Sequence, residues 1–178
     1  MQNYIIAKDL VCAESDYFKG ACNGPWQEGP TTVVRLEEED PDTFAIFATW
    51  LTTNSLDNAM DLADYCHLHP PSTTQDTTRS TMQEKRYYQL AKCFLLGEYL
   101  QAENFKNVVM SDIVQTSRDY FQEFWILDNL GRLEGRQTPV KNLPLLGVLS
   151  DDIADVYAKT PSNSVLRRFL VDMTVAFL

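Results

Sequence analysis

The sequence predicts an α+β chain. Two short β-leaning segments, at residues 3–6 and 32–36, lie near its start. From Leu10 onward most apolar residues recur at helical spacing. The chain has 178 residues, which suits one domain, or one domain with an extension. At this length about two-thirds of the unfolded surface is buried on folding, so no metal or disulfide staple is needed. The hydrophobic fraction of 44% is ordinary for a globular protein.

The first predicted helix runs from Leu10, with Leu10, Glu14, Tyr17, Phe18 and Ala21 in register and Asp9 as the capping residue. Asn23-Gly24-Pro25 ends it. A loop leads to the strand-like Thr32-Val33-Val34-Arg35-Leu36, with Val34 and Leu36 on one face. The acidic run from Glu37 to Asp42 marks a helix entrance. Asp40 caps it, Pro41 takes the first helical position, and the carboxylates complement the dipole. The helix that follows carries Phe44, Phe47, Ala48 and Leu51, widened by Ile46 and Trp50, so it is buried on most sides. Short helical character continues over residues 51–68.

Residues 69–83 are nearly free of apolar side chains and open on Pro70-Pro71, which predicts a flexible polar loop. Two helices follow. One has a stripe of Tyr88, Ala91, Leu95 and Tyr99, with Leu90 and Phe94 beside it. The other has Phe105, Val108, Val109 and Ile113. Their join, near residues 101–104, is short enough to make them neighbours. An aromatic patch at residues 120–127 is helical, and residues 131–148 are irregular. Ser150-Asp151-Asp152 opens a helix carrying Ile153, Val156 and Tyr157. Residues 160–164 break it and cap a last helix carrying Leu166, Phe169, Leu170, Met173 and Phe177.

Charge and motifs exclude several functions. A net charge of −10 argues against direct nucleic-acid binding and against docking on an anionic membrane. The N-terminal residues do not form a secretory signal, and no apolar run is long enough to span a membrane. The four cysteines, Cys12, Cys22, Cys66 and Cys93, form no Cys-x-x-Cys pair. They are expected to be reduced in an intracellular protein of the cytoplasm or nucleus. The single metal-like cluster, Cys66-His67-Leu68-His69, is too tight to wrap a tetrahedral ion and has no second ligand pair. No phosphate-binding or nucleophile motif occurs among only seven glycines. Arg167 and Arg168 are expected on the solvated side of the last helix, or paired with acids such as Asp172. No catalytic residue, cofactor site or metal site is assigned.

The segment Lys8-Asp9-Leu10-Val11-Cys12-Ala13-Glu14-Ser15-Asp16-Tyr17-Phe18 resembles the first helix of the BTB/POZ domain family, especially its fungal branch. The likeness continues through Ala21-Cys22-Asn23-Gly24, the strand-like segment ending at Leu36, and Asp40-Pro41 with Phe44, Phe47, Trp50 and Leu51. The helices at residues 90–99 and 105–113 look like the family's closing pair. The resemblance covers about residues 3–116. Thr160-Pro161 through Arg168 also look like the tail of fungal members.

The resemblance implies a helical cluster flanked by a small β-sheet over residues 1–117, with a helical extension over residues 118–178. It also implies a protein-interaction role without catalysis. Some members recruit a cullin scaffold as ubiquitin-ligase substrate adaptors through an apolar-x-Glu motif. Trp26-Gln27-Glu28 stands at that place, which makes Trp26 and Glu28 the partner-binding candidates. The competing and favoured reading has Trp26 fold back over the core edge. The family's usual first strand is missing, which weakens the expectation of a homodimer. Ala7 stands where the family has His. A self-associating scaffold in transcriptional regulation is the alternative function, and a small enzyme using His67 or His69 ranks third.

Overall fold

A computed structural model describes residues 2–24, 33–60, 78–133, 153–154 and 156–176. The described residues are helical, and no strand occurs among them. This overturns the predicted α+β fold with a small β-sheet. Residues 3–6 form no strand with the described residues, and the Tyr4 side chain holds them against α-helical neighbours. Tyr4 donates its hydroxyl to Pro41 O at 2.7 Å and packs edge-on against Phe44 with ring centroids 5.0 Å apart. Residues 33–36 keep the alternation of exposed and half-buried positions expected of a strand, yet pair with no strand among the described residues. Four alternating residues specify which side faces inward, but a ladder also needs a neighbouring backbone.

The chain divides into two compact units. The first comprises Met1–Thr73 with Lys92–Val109, and the second Thr74–Ala91 with Met110–Leu178. The helices are α1 (Lys8–Glu14), α2 (Asp16–Asn23), α3 (Pro41–Thr53), α4 (Thr78–Tyr99), α5 (Glu103–Leu133) and α6 (Val165–Ala176). Residues 56–60 and 156–159 are also helical.

In the first unit, the predicted first helix is two helices. It starts at Lys8 after an extended Ala7 that makes no side-chain cap, so Asp9 lies within the first turn rather than capping it. It stops at Glu14 because Ser15 is extended, at φ −135° and ψ 117°. The break sacrifices intrahelical bonds, and other groups replace them. Ser15 Oγ accepts from Phe18 N at 3.2 Å, a serine N-cap, and donates to Leu100 O at 2.6 Å. Tyr17 N also donates to Leu100 O, at 3.3 Å, and Asp16 N to Gln101 O at 3.5 Å.

Helix α3 begins as the sequence predicts. Asp40 caps it by accepting from Asp42 N at 3.2 Å, and Pro41 occupies the first turn. It ends at Asn54, whose φ of 52° is a left-handed cap. Its buried residues are Thr43, Phe44, Ile46, Phe47, Trp50 and Leu51, so most of its circumference is covered. An aromatic series runs from Phe18 through Phe44 and Phe47 to Trp50 and Phe105. The Phe105 ring lies 5.1 Å from that of Phe47 and 5.0 Å from that of Trp50. Leu96, Leu100 and Val109 complete this core.

Helix α4 starts at Thr78, so residues 78–83, predicted as the end of the polar loop, are helical. Met82-Gln83-Glu84-Lys85-Arg86 are good helix formers, and a scarcity of apolar residues does not prevent helix. Of the predicted stripe Ala91 is buried, with Leu90 and Phe94 beside it, but its two tyrosines are not. Tyr87, Leu90, Cys93, Phe94 and Leu96 are buried, whereas Tyr88 and Tyr99 are exposed. On α5, Phe105, Val109 and Ile113 are buried as predicted, but Val108 is exposed. The aromatic patch at residues 120–127 belongs to the same uninterrupted α5.

In the second unit, Arg86 pairs with Asp112 at 2.8 Å, and Ser117 Oγ bonds back to Ile113 O at 2.8 Å. Val156, Leu166 and Leu170 are buried. Tyr157 is exposed rather than part of the apolar face. Ser164 does not cap α6 with its side chain, because its Oγ is buried with no hydrogen-bond partner among the described residues.

Candidate interaction surface

The feature that stands out on the first unit is the joint where the α1–α2 break meets the α4–α5 turn. That turn is Leu100–Gln101–Ala102. Gln101 takes a φ of 52°, a left-handed conformation, and Ala102 N donates to Gly97 O at 2.9 Å. Leu100 and Ala102 are fully buried on either side of it. The exposed Gln101 is therefore fixed in place by its neighbours.

A lysine clamp braces the turn from α5. Lys106 Nζ contacts Glu103 at 2.7 Å and Glu98 at 3.3 Å, with little of its side chain exposed. Burial pulls its pKa down, but the hydrogen bonds and charges of Glu103 and Glu98 outweigh that and hold it above the ordinary lysine value. The Lys106 stem crosses Gly97. A Cβ at residue 97 would lie 2.6 Å from Lys106 Cγ and 3.3 Å from Phe105 Cδ1, so the close approach of α4 and α5 requires glycine there.

Two tyrosines sit on the outer side of this joint. Tyr17 and Tyr99 pack with ring centroids 5.1 Å apart, and Tyr99 Oη donates to Tyr17 Oη at 3.4 Å. Tyr99 is 45% exposed and Tyr17 half-buried. Beside them Asn104 Nδ2 donates to Glu14 Oε2 at 3.0 Å. Paired aromatic rings with polar tips, flanked by a carboxylate and an amide, form a surface that offers apolar area and hydrogen-bonding groups together. Each tyrosine loses little side-chain freedom on contact, because its neighbour already holds it.

Trp26 and Glu28, the partner-binding candidates of the sequence, lie outside the described residues, as do Cys66, His67 and His69. Among the described residues no group of three His, Cys, Asp or Glu side chains converges to hold a metal ion. None of the described helices is long and apolar enough to cross a membrane. Asp40 serves the fold. Besides capping α3 it accepts from Thr43 Oγ1 at 3.0 Å and pairs with Lys92 Nζ at 3.2 Å. Burial would raise its carboxyl, but the bonds from Lys92, Asp42 N and Thr43 win and hold it below the ordinary range.

In the second unit Arg167 is not simply solvated. Its guanidinium donates to Thr160 Oγ1 at 2.8 Å and to the carbonyls of Tyr157 and Thr160, closing the C-terminal end of the helical residues 156–159. It also lies over the Tyr157 ring, 4.7 Å from the centroid. Arg168 is exposed.

Helical spacing gives Tyr17 and Tyr99 ordinary positions on apolar stripes. A cue to the joint was present in Ser15-Asp16, a capping residue followed by an acid inside an otherwise continuous helical pattern. No family model, curated protein or solved structure matches this chain.

Proposed function

We propose that the chain is a non-catalytic protein-interaction module of BTB/POZ type, acting as an adaptor whose partner is a cullin scaffold. The reading concerns interaction and carries over no β-sheet. The observation that carries it is the Tyr17–Tyr99 pair on the braced joint, a partly exposed aromatic surface whose two rings pack on each other. The ordered likeness over residues 3–116 supports the family, and Trp26-Gln27-Glu28 stands at the place where adaptors of that kind carry their apolar-x-Glu motif.

The test is a pull-down of the full chain with an immobilised cullin N-terminal fragment, alongside Glu28→Lys, Tyr17→Ala and Tyr99→Ala. Binding by the intact chain that falls about tenfold or more in the variants supports the reading, since interface anchors cost ~2 kcal/mol or more when truncated. No binding by the intact chain sinks the adaptor role.

A second reading, self-association in a regulatory scaffold, is favoured by one feature. Ile5 is fully exposed on the non-helical residues 2–7, where an apolar side chain has most to gain from a second copy. Light scattering separates the two readings. A strict monomer at high micromolar concentration removes the second.

A further inference from the structure

Cys12 and Cys22 are brought together by the Ser15 break. In one continuous helix, ten residues of separation would set them about 15 Å apart along the axis. With the chain folded back, α1 packs directly on α2. Cys12 Sγ then donates to Phe18 O at 3.6 Å, the carbonyl toward which the Cys22 N–H points in the α2 ladder. Lys8 lies one turn before Cys12 and donates Nζ to Cys22 O at 3.1 Å, tying the same two turns together. Cys22 is also the neighbouring side chain that acts most strongly on the Cys12 thiol. Both residues are partly exposed and free, whereas Cys93 is fully buried.

We propose that Cys12 and Cys22 form a reversible dithiol–disulfide site whose oxidant is a small-molecule disulfide of the glutathione type. The thiolate of one cysteine attacks glutathione disulfide, forms a mixed disulfide and expels one glutathione thiolate. The second cysteine, losing its proton, attacks the protein sulfur of that mixed disulfide and expels the other glutathione. The two protons lost by the cysteines end on the two glutathiones. Two protein thiols are oxidised to one disulfide, and one glutathione disulfide is reduced. Burial and the neighbouring Cys22 hold the Cys12 thiol above its ordinary value and the Lys8 ammonium only partly offsets them, so the exchange runs faster as pH rises. The bond would fasten α1 to the last turn of α2 across the break and hold the two helices in their packed arrangement.

The test uses the folded full chain in excess glutathione disulfide, quenched in acid, alkylated and digested with trypsin. The sequence places the four cysteines in separate tryptic peptides, with Cys12 in residues 9–19 and Cys22 in residues 20–35. The expected result is the loss of two alkylatable thiols, with peptides 9–19 and 20–35 joined and separated again by dithiothreitol. Cys12→Ser and Cys22→Ser each stop at a glutathione adduct on the remaining cysteine. Separate adducts on both cysteines of the unsubstituted chain, joining to Cys66 or Cys93, or retention of all four thiols overturns the proposal.

Discussion

Single side chains decide the joint. Ser15 is buried and engages two partners at once, the Phe18 amide and the Leu100 carbonyl. Ser15→Ala removes the cap and leaves Leu100 O with only Tyr17 N at 3.3 Å. The expected loss is about 2 kcal/mol by urea unfolding, from a cap worth ~1 and a weakened buried acceptor. At Gly97 helix propensity predicts a gain of ~1 kcal/mol for alanine, but contact with Lys106 and Phe105 reverses it. Gly97→Ala is expected to destabilise by about 1 kcal/mol, because the clash falls near the root of a clamped lysine. Tyr87 gives a pH-dependent prediction. Burial pushes its pKa from 10 up to about 12, with the nearby Ser117 hydroxyl working the other way. Its contribution is complete below pH 10, where neither state ionises, and is lost as pH rises through about 12. Tyr87→Phe should therefore flatten the alkaline limb of stability measured by denaturant titration across that window. Such residues were invisible as special in the sequence, since what singles them out is the atom facing them.

Elements were legible where local chemistry set their ends. Asp40-Pro41 announced α3 correctly, because a capping carboxylate and a proline at the first turn act within a few residues. Helical spacing puts Tyr88 and Tyr99 on the α4 stripe because tyrosine is amphipathic. Tyr87 is covered while Tyr88 and Tyr99 face out, and pattern alone does not separate them. The predicted strands failed for a related reason, as their partners are a matter of tertiary placement. Asp40→Ala is expected to cost ~1 kcal/mol at neutral pH through the lost cap. Asp40→Asn keeps the cap but loses the ion pair with Lys92. The native carboxyl is held below its ordinary value, so its stabilising contribution is present above the unfolded pKa of ~3.9 and is lost as pH falls through the lower folded value. Stability of the asparagine variant should consequently change less on acidification, as read by thermal unfolding at several acidic pH values.

For the whole molecule, the compact units are not consecutive lengths of sequence. The first needs residues 92–109 for its core, since Phe105 meets Phe47 and Trp50 and Leu100 receives the Ser15 bond. A fragment ending at Thr73 is expected to lack cooperative unfolding and to be cut rapidly by trypsin, whereas the full chain resists. Phe105→Ala in the full chain should cost about 3–5 kcal/mol, a loss readable from its denaturant midpoint. Composition could bound the size of this molecule, but the pairing of its first 60 residues with a segment beyond 90 leaves no periodic trace. That pairing also has a consequence for synthesis. Ser15 and Leu100 stand 85 positions apart, and Glu14 and Asn104 stand 90 apart. A ribosome adding about 5–20 residues per second therefore exposes α1, α2 and α3 for several seconds before their packing partners are made. Through that interval Phe44, Phe47 and Trp50 are uncovered, and nascent chains of this protein are natural clients for whatever holds apolar segments at the tunnel exit.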